Sequence, residues 1–299
     1  MREPLLIGID GGGTHCRARL CDSNGRILGE GSGGPANVRL GAALVMDSLL
    51  TASRGAAQSA GLSEQNLRGA HAGLGLAGAA LTSACDRLLA EPHPFASAAI
   101  ETDAYAAWLG AHGGSDGAIL IVGTGSCGLA VIGGKQFYVS GWGAEVSDEA
   151  SGQMLGREAI RRTLWAYDGR APMTPLARAV LARFGDDEEK ILAFATDARP
   201  ADYGRLAGMV FEHASEREPL ALALVTEAAA DAARMISRLL DAGAPSVSLL
   251  GGLAEPLSDW LPPPIRAHLS PPLGDALDGA ILLARRAQSA ASPAVAARA

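Results

Sequence analysis

The sequence predicts an α/β protein built from two similar domains, and three features of the chain indicate this. Residues 5–30 are predicted as a strand, a glycine-rich turn and two further strands in close succession. Residues 118–140 repeat the plan, with a buried strand, a Gly/Thr/Ser turn and two more strands. Stretches with apolar residues at helical spacing follow each unit. We therefore expect one domain over residues 1–113 and a second over residues 114–299, joined near the polar, glycine-rich segment 112–117.

The first unit places three glycines directly after a buried strand. Residues 5–9 are apolar, Asp10 ends the strand, and Gly11–Gly13 and Thr14 follow. A backbone without Cβ atoms can approach an anion closely and point several N–H groups at it, which suits a phosphate. Thr14 adds a hydroxyl donor, and Asp10 adds a carboxylate that could reach a phosphate-bound Mg²⁺ directly or through water. The alternative is a plain hairpin turn without a ligand.

The second unit supplies a similar turn, Gly123-Thr124-Gly125-Ser126, after the strand over residues 118–122. Because the plan is repeated, we expect the two domains to face one another, each offering a glycine turn to one ligand held between them. A third glycine turn, Gly251-Gly252, follows the buried strand that begins at Val247. For this third turn, a plain strand-to-helix connection is the alternative.

Asp103 lies where a predicted strand, residues 98–103, meets a predicted helix, residues 104–111. An aspartate at such a junction is commonly the helix N-cap. It could also be a general base that takes the proton of an attacking hydroxyl, as the catalytic-loop aspartate does in protein kinases. The two roles are compatible, and the residues leave both open.

Asn37 and Trp142 are candidate sugar contacts. Asn37 ends the turn-rich loop of residues 31–37, and its amide offers a donor and an acceptor to a pair of hydroxyls. An Asx turn or a cap of the next helix is the alternative. Trp142 lies between Gly141 and Gly143, where its face could cover the apolar side of a pyranose. The alternative is a core tryptophan.

Asp148 is predicted, together with Glu149, to begin a helix that runs to about Tyr167. Acidic side chains in a first helical turn often only complement the helix dipole. The rest of the second half is predicted to be mostly helical, with a final helix over about residues 275–288.

Two glycine runs, residues 73–78 and 123–128, match the G-x-G-x-x-G pattern of dinucleotide-binding folds. In those folds the glycine turn follows the first strand and leads directly into a helix. Here a three-strand unit precedes the first run, and an alternating strand follows the second. We therefore do not predict NAD binding.

Composition excludes some classes of function. A net charge of −7 and a pI near 5.4 argue against an electrostatic nucleic-acid binder. No apolar run approaches the roughly 18 residues needed to cross a membrane, and we recognise no signal peptide, so we expect a cytoplasmic protein. Four cysteines lack the paired spacing of metal ligands and are expected to be buried small residues: Cys16, Cys21, Cys85 and Cys127.

Together the motifs resemble those of the sugar kinase, heat-shock ATPase and actin superfamily. Residues 10–14 resemble its first phosphate motif, residues 123–126 its second, and residues 251–253 its adenosine motif. Within the superfamily the chain is similar to the BadF-type ATPase and N-acetylglucosamine kinase family, and in particular to bacterial glucosamine kinases. Four segments carry that similarity: residues 93–97, 102–105, 123–128 and 259–261. The likeness runs over nearly the whole chain, and the order and spacing of the motifs make it specific.

The resemblance implies two ribonuclease H-like domains of the actin type with a nucleotide cleft between them, and a last helix that packs on the first domain. It also implies ATP and Mg²⁺ as cofactors and glucosamine as substrate, phosphorylated at its 6-hydroxyl. N-acetylglucosamine is an alternative, since the motifs hardly separate the two sugars. A BadF-type ATPase activator is another, although the scattered cysteines do not resemble the iron–sulfur ligands of those proteins. A small-molecule amino sugar, rather than nucleic acid or membrane, is the expected partner, and a homodimer is left open.

The resemblance also implies roles for individual residues. Asp103 would be the catalytic base, and Asp10 would bind the metal. Related kinases have Gly-Asp-Glu-Gly-Ser-Gly where this chain has residues 147–152, so that Asp148 is kept but two glycines are not. The implied sugar contacts are Asn37, Asp103, Gly141, Trp142, Gly143 and Asp148. The implied ATP contacts are Gly11, Gly12, Gly13, Thr14, Gly123, Thr124, Gly125, Ser126, Gly251 and Gly252.

Overall fold

The computed structural model describes residues 4–291, so residues 1–3 and 292–299, which the expected domains include, lie outside the described residues. The strands are β1 (Leu6–Gly11), β2 (Cys16–Cys21), β3 (Ile27–Gly33), β4 (His71–Leu76), β5 (Ser97–Thr102), β6 (Gly117–Val122), β7 (Ser126–Ile132), β8 (Lys135–Ser140) and β9 (Val247–Leu250). The α-helices are α1 (Ala42–Ser59), α2 (Thr82–Leu89), α3 (Asp103–His112), α4 (Gly152–Tyr167), α5 (Pro175–Arg183), α6 (Glu188–Asp197), α7 (Pro200–Gly204), α8 (Ala207–Ser215), α9 (Pro219–Asp241), α10 (Ala254–Ser258), α11 (Pro263–Arg266) and α12 (Ala276–Ala291).

The described chain divides into two compact units. Unit 1 comprises the residues up to Ser115 and those from Pro272 onward, and unit 2 comprises Asp116–Pro271. Each unit contains a mixed sheet with helices packed on it. The predicted α/β class is therefore confirmed.

The sheet of unit 1 has the order β3-β2-β1-β4-β5. β2 is antiparallel to β1 and β3, whereas β1, β4 and β5 run parallel. Asp10 lies opposite Arg17 on β2 and opposite Gly75 on β4. Since parallel strands end at the same edge of a sheet, the chain after β1 and the chain after β5 emerge on one side of the unit.

Helix α12 belongs to unit 1 and approaches its other elements backbone to backbone. A Cβ on Gly279 would lie 1.8 Å from the carbonyl oxygen of Ala106 in α3, and one on Gly73 would lie 2.0 Å from that of Ala280. At the start of α12, the Arg19 guanidinium of β2 binds Asp275 at 2.9 Å and Asp278 at 2.5 Å. Close glycine contacts and the ion pairs of the largely buried Arg19 side chain thus hold the last helix on the sheet.

The sheet of unit 2 has the order β8-β7-β6-β9, with β6 parallel to β9 and antiparallel to β7. Helix α9 packs on this sheet, and α4, α5 and α8 pack around α9 or one another. The parallel pair brings the ends of β6 and β9 to the same edge. The second and third glycine turns follow these two strands and therefore lie side by side.

Helix α4 begins later than the sequence predicted. Its N-cap is Ser151, whose Oγ accepts a hydrogen bond from the Met154 amide at 3.2 Å. Asp148 and Ala150 have left-handed φ values of 66° and 64°. A right-handed helix excludes such values, so the prediction that Asp148 and Glu149 begin the helix is wrong.

The G-x-G-x-x-G run at residues 73–78 has a packing explanation. Gly73 is covered by α12, and a Cβ on Gly75 would lie 2.4 Å from Cβ of Ala106. Gly78 has a φ of 78°, and a Cβ there would lie 2.7 Å from Oδ1 of Asn37. Each glycine is therefore required by the surrounding fold rather than by a dinucleotide.

Across residues 4–291, the structure contains no helix that is both long and apolar enough to span a membrane.

Candidate active site

The first glycine turn joins β1 to β2 and directs its carbonyl groups into the protein. The carbonyl oxygens of Gly11 and Gly12 accept hydrogen bonds from the amides of Ala77 (2.8 Å) and Ala36 (2.9 Å). The amides of Gly13 and Thr14 donate to no other described residue, and both residues are exposed. The turn thus presents two consecutive free N–H groups to solvent.

The fold does not by itself require glycine at the tip of this turn. Gly12 and Gly13 are not among the described residues with left-handed φ values. A Cβ on Gly13 would meet no atom within 4 Å. The absent side chain leaves open space above free amides, which is the arrangement that a phosphate ligand needs.

The second glycine turn also has carbonyl groups that are bonded within the protein and amides that are free. The carbonyl oxygens of Gly123 and Thr124 accept hydrogen bonds from the amides of Gly152 (2.8 Å) and Gln153 (3.1 Å), at the start of α4. The amides of Thr124 and Gly125 donate to no other residue in the described part of the chain. A Cβ on Gly123 would again meet open space. Both turns therefore offer a pair of consecutive free amides.

The two glycines of the third turn differ. Gly251 has a φ of 95°, and a Cβ there would lie 2.4 Å from the carbonyl oxygen of Val122 in β6, so the fold demands glycine. Gly252 has open space around its Cβ position. A ligand can therefore account for the choice of glycine only at Gly252, where the fold does not require it.

Asp103 is the first residue of α3, and Thr102 is the N-cap, since its Oγ1 accepts a hydrogen bond from the Tyr105 amide at 3.0 Å. The interpretation of Asp103 as the N-cap is therefore wrong. Its own Oδ1 accepts from the Ala104 amide at 2.9 Å. Burial raises the pKa of Asp103, and the negative charge of Asp10 adds to the effect. A carboxylate with a raised pKa is a better proton acceptor, which suits a general base.

Asp10 carries its carboxylate on the same side of unit 1 as Asp103, whose pKa its charge affects. Its Oδ2 accepts from Nη2 of Arg17 at 2.8 Å, and the two residues are directly opposed across β1 and β2. Arg17 was not predicted as part of this site, although the alternation along the predicted hairpin would have placed it beside Asp10. Mg²⁺ is usually bound by one or two carboxylates together with phosphate oxygens and water. One carboxylate at the foot of an open phosphate-type turn fits that requirement.

The residues proposed as sugar contacts fall in both units. In unit 1, Oδ1 of Asn37 accepts from the Arg39 amide at 3.0 Å, so the helix cap named as the alternative role of Asn37 is present. The Asn37 loop is joined to the first turn by the bond from Ala36 to Gly12. In unit 2, the Trp142 side chain is 81% exposed, so the alternative of a core tryptophan is wrong.

Asp148 connects the second turn to the segment that carries Trp142. Its carboxylate accepts hydrogen bonds from the backbone amides of Gly143 and Ser126, while burial raises its pKa. A Cβ on Gly125 would lie 2.7 Å from Oδ2 of Asp148, so that glycine makes room for the carboxylate. No sequence pattern predicted this link, because it depends on the left-handed backbone at Asp148.

Unit 1 therefore brings together Asp10, the first turn, Asp103 and the Asn37 loop. Unit 2 brings together the second and third turns, Asp148 and the Trp142 segment. Within the described residues, no three His, Cys, Asp or Glu side chains converge as a group that could hold a metal ion.

Comparison with known proteins identifies the family. The profile of the BadF/BadG/BcrA/BcrD ATPase family matches residues 7–283. The glucosamine kinase GspK of Vibrio cholerae is 42% identical over 93% of this chain and 95% of that protein. The crystal structure of a candidate N-acetylglucosamine kinase from Chromobacterium violaceum superposes with a TM-score of 0.88 at 39% identity, covering 94% of this chain and 99% of that one.

The fold extends to more distant proteins. A ROK family glucokinase from Streptomyces griseus, solved with glucose and AMPPNP, superposes with a TM-score of 0.56 at 20% identity, covering 95% of this chain and 99% of that one. The resemblance predicted from the motifs is confirmed: the chain belongs to the BadF/BadG/BcrA/BcrD ATPase family.

Proposed function

We propose that this protein is an ATP-dependent glucosamine kinase, which forms glucosamine 6-phosphate and ADP. The observation that carries the proposal is the pair of glycine turns, each with two consecutive free amides and one glycine whose Cβ position meets open space. Such turns suit the phosphates of a nucleotide. The 42% identity to a glucosamine kinase over nearly the whole chain supports glucosamine as the acceptor.

In this proposal the first and second turns bind the phosphates of ATP, through residues 11–14 and 123–126. Gly251 and Gly252 lie against the adenosine. Asp10 would hold Mg²⁺, which would shield the negative charge of the phosphates during transfer. Since ATP is the phosphoryl donor, we propose that the enzyme acts in the cytoplasm.

Asp103 accepts the proton of the sugar 6-hydroxyl as its oxygen attacks the terminal phosphorus atom. The bond from that phosphorus to the bridging oxygen breaks, and ADP leaves. Asn37, Gly141, Trp142, Gly143 and Asp148 orient the sugar. Because phosphoryl transfer depends mainly on positioning and charge stabilisation, this orientation should contribute much of the rate.

The cysteines favour a kinase over an ATPase activator with an iron–sulfur cluster. Cys16 and Cys21 are buried in unit 1, and burial raises the pKa of each thiol to about 11. A metal cluster needs thiolates, which a raised pKa disfavours. These two side chains therefore behave as small core residues.

A coupled assay of ADP release tests the proposal. We expect rapid ADP release with glucosamine, less with N-acetylglucosamine or glucose, and little without sugar. Mass spectrometry should detect glucosamine 6-phosphate. Equal ADP release with and without any sugar would show an ATPase and exclude the kinase. A preference for N-acetylglucosamine would keep the kinase and replace its substrate.

Substitution of Gly13 by alanine tests the phosphate turn. The new methyl group meets no protein atom, so the melting temperature should stay unchanged, but it would occupy the space above the free amides. We expect the Kd for ATP, measured by calorimetry, to rise about 10-fold or more, as when one or two charge-assisted hydrogen bonds are lost.

Gly69→Ala is the matched control, because a Cβ on Gly69 also meets open space, away from any glycine turn. It should change neither stability nor ATP binding by much. Unchanged ATP affinity in Gly13→Ala would remove the first turn from the nucleotide site.

A further inference from the structure

Both ends of the segment that carries Trp142 converge on one carboxylate. We call residues 141–147 the Trp142 loop. Ser140, just before the loop, donates from Oγ to Oε2 of Glu149 at 2.7 Å, and Ser147, at its end, donates to the same oxygen at 3.2 Å. The two hydroxyl groups lie 3.0 Å apart. Glu149 thus joins the two ends of the loop, and we call Glu149, Ser140 and Ser147 the Glu149 clamp.

The backbone at the clamp is strained. Ser140 and Asp148 have left-handed φ values of 61° and 66°, although neither is glycine. Such conformations cost free energy and persist where the surroundings hold them. The hydrogen bond from Ser140 lowers the pKa of Glu149, so the ionised form, which accepts both hydroxyl groups, is the favoured one. The clamp therefore offsets strain at the first end of the loop.

The loop is ordered within itself and still exposes its large apolar side chains. The amides of Val146 and Ser147 donate to the carbonyl oxygen of Gly143 at 3.2 Å and 2.9 Å. Yet the side chain of Trp142 is 81% exposed and that of Val146 is 79% exposed. A loop closed by hydrogen bonds therefore presents an aromatic face that no part of its own unit covers.

We propose that Glu149 is a positioning residue of the amino-sugar site, which fixes the Trp142 loop in the shape that receives the sugar. This inference rests on the proposed function, and it gives Glu149 a role that needs no contact with the sugar. The neighbouring Asp148 binds the same loop at Gly143 and the second turn at Ser126. Two adjacent carboxylates, Asp148 and Glu149, therefore hold the platform for the sugar and a turn for the phosphates in one frame.

Kinetics of three variants test this role. Glu149→Met removes the acceptor at similar side-chain length, and Glu149→Gln keeps one acceptor oxygen. Glu145→Met is the matched control, because Glu145 is an exposed acid of the same loop outside the clamp. We expect Glu149→Met to raise the KM for glucosamine about 10-fold, since hydrogen bonds to a charged group are lost. Its kcat and its KM for ATP should stay within about twofold. Glu149→Gln should have a KM for glucosamine close to that of wild type, and Glu145→Met should have wild-type kinetics.

A spectroscopic readout separates this inference from the proposed function. In protein labelled with 5-fluorotryptophan, the ¹⁹F resonance of Trp142 can be assigned by its loss in Trp142→Phe. We expect this resonance to shift and broaden in Glu149→Met, while the resonances of Trp108, Trp165 and Trp260 stay in place. Ser140→Gly should act in the same way, because it removes the hydroxyl group but suits the left-handed backbone.

An unchanged Trp142 resonance in both Glu149→Met and Ser140→Gly would overturn the clamp. A changed resonance with an unchanged KM for glucosamine would overturn its role in the sugar site. If the wild-type protein phosphorylates no sugar, the proposed function fails, whereas the Trp142 resonance still decides whether the clamp holds the loop.

Discussion

Replacement of Asp103 by asparagine is expected to lower kcat by about 10² to 10⁴, the usual scale for loss of a general base. Asparagine can still accept the hydrogen bond from the Ala104 amide, so helix α3 should keep its start. In the proposed site Asp103 does not bind ATP, so the Kd for ATP should change little. Steady-state kinetics with glucosamine and calorimetry with ATP measure the two effects.

Asp47→Asn is a suitable control for this variant, since Asp47 is an exposed aspartate of helix α1 in the same unit. It should leave kcat unchanged. If Asp103→Asn keeps wild-type turnover, another group must accept the proton.

The pH profile gives a second measure of Asp103. Burial and the charge of Asp10 raise the pKa of Asp103 above its ordinary value of 3.8. The protonated form cannot accept the hydroxyl proton, so kcat/KM should fall as the pH drops through this raised value. The acid limb of the profile should therefore lie above the range of an ordinary aspartate.

Replacement of Gly279 by alanine should have the largest effect on stability. The new Cβ would lie 1.8 Å from the Ala106 carbonyl oxygen and 2.6 Å from the Gly110 amide nitrogen, both in α3. Backbone atoms cannot rotate away, so α12 would have to move from α3 and from the sheet. We expect a loss of about 3 kcal/mol or more in the free energy of unfolding, visible as a melting temperature lower by roughly 10 °C.

Gly208→Ala is the matched control for Gly279→Ala. Gly208 lies in helix α8, and a Cβ there meets no atom within 4 Å. Alanine should stabilise this helix by up to about 1 kcal/mol, because glycine is a poorer helix former. A Gly279→Ala protein as stable as wild type would show that α12 does not pack so closely on α3.

The sequence was sufficient to predict the strands and the glycine turns, because both depend on local patterns. β1, β4, β6 and β9 are short, mainly apolar runs that lead into a glycine-containing turn, and each forms a strand in the structure. Helix α12 was predicted within a few residues, since its apolar spacing marks a buried face. The spacing does not predict which surface this face packs against. Only the family resemblance predicted that the helix packs on the first domain.

The errors concern hydrogen bonds that local patterns do not determine. Asp148 and Glu149 resemble a first helical turn. The backbone is left-handed at Asp148 and Ala150, however, so α4 begins only after its N-cap, Ser151. Thr102 and Asp103 are both suitable N-caps, and only the backbone at Thr102 decides between them. The Glu149 clamp joins residues up to nine positions apart through a turn that no propensity predicts. The roles of the site residues stay predictions until the experiments above are done.

The return of the chain to unit 1 has a consequence for its synthesis. Residues up to Ser115 leave the ribosome first, but the helix that covers β1 and β4 is made only after all of unit 2. Until then Gly8 and Gly73 expose a bare groove on the sheet, and Arg19 lacks its partners Asp275 and Asp278. The first half of the protein is thus the last to mature, and a nascent chain arrested before residue 272 should be more sensitive to proteases in that half than in the other.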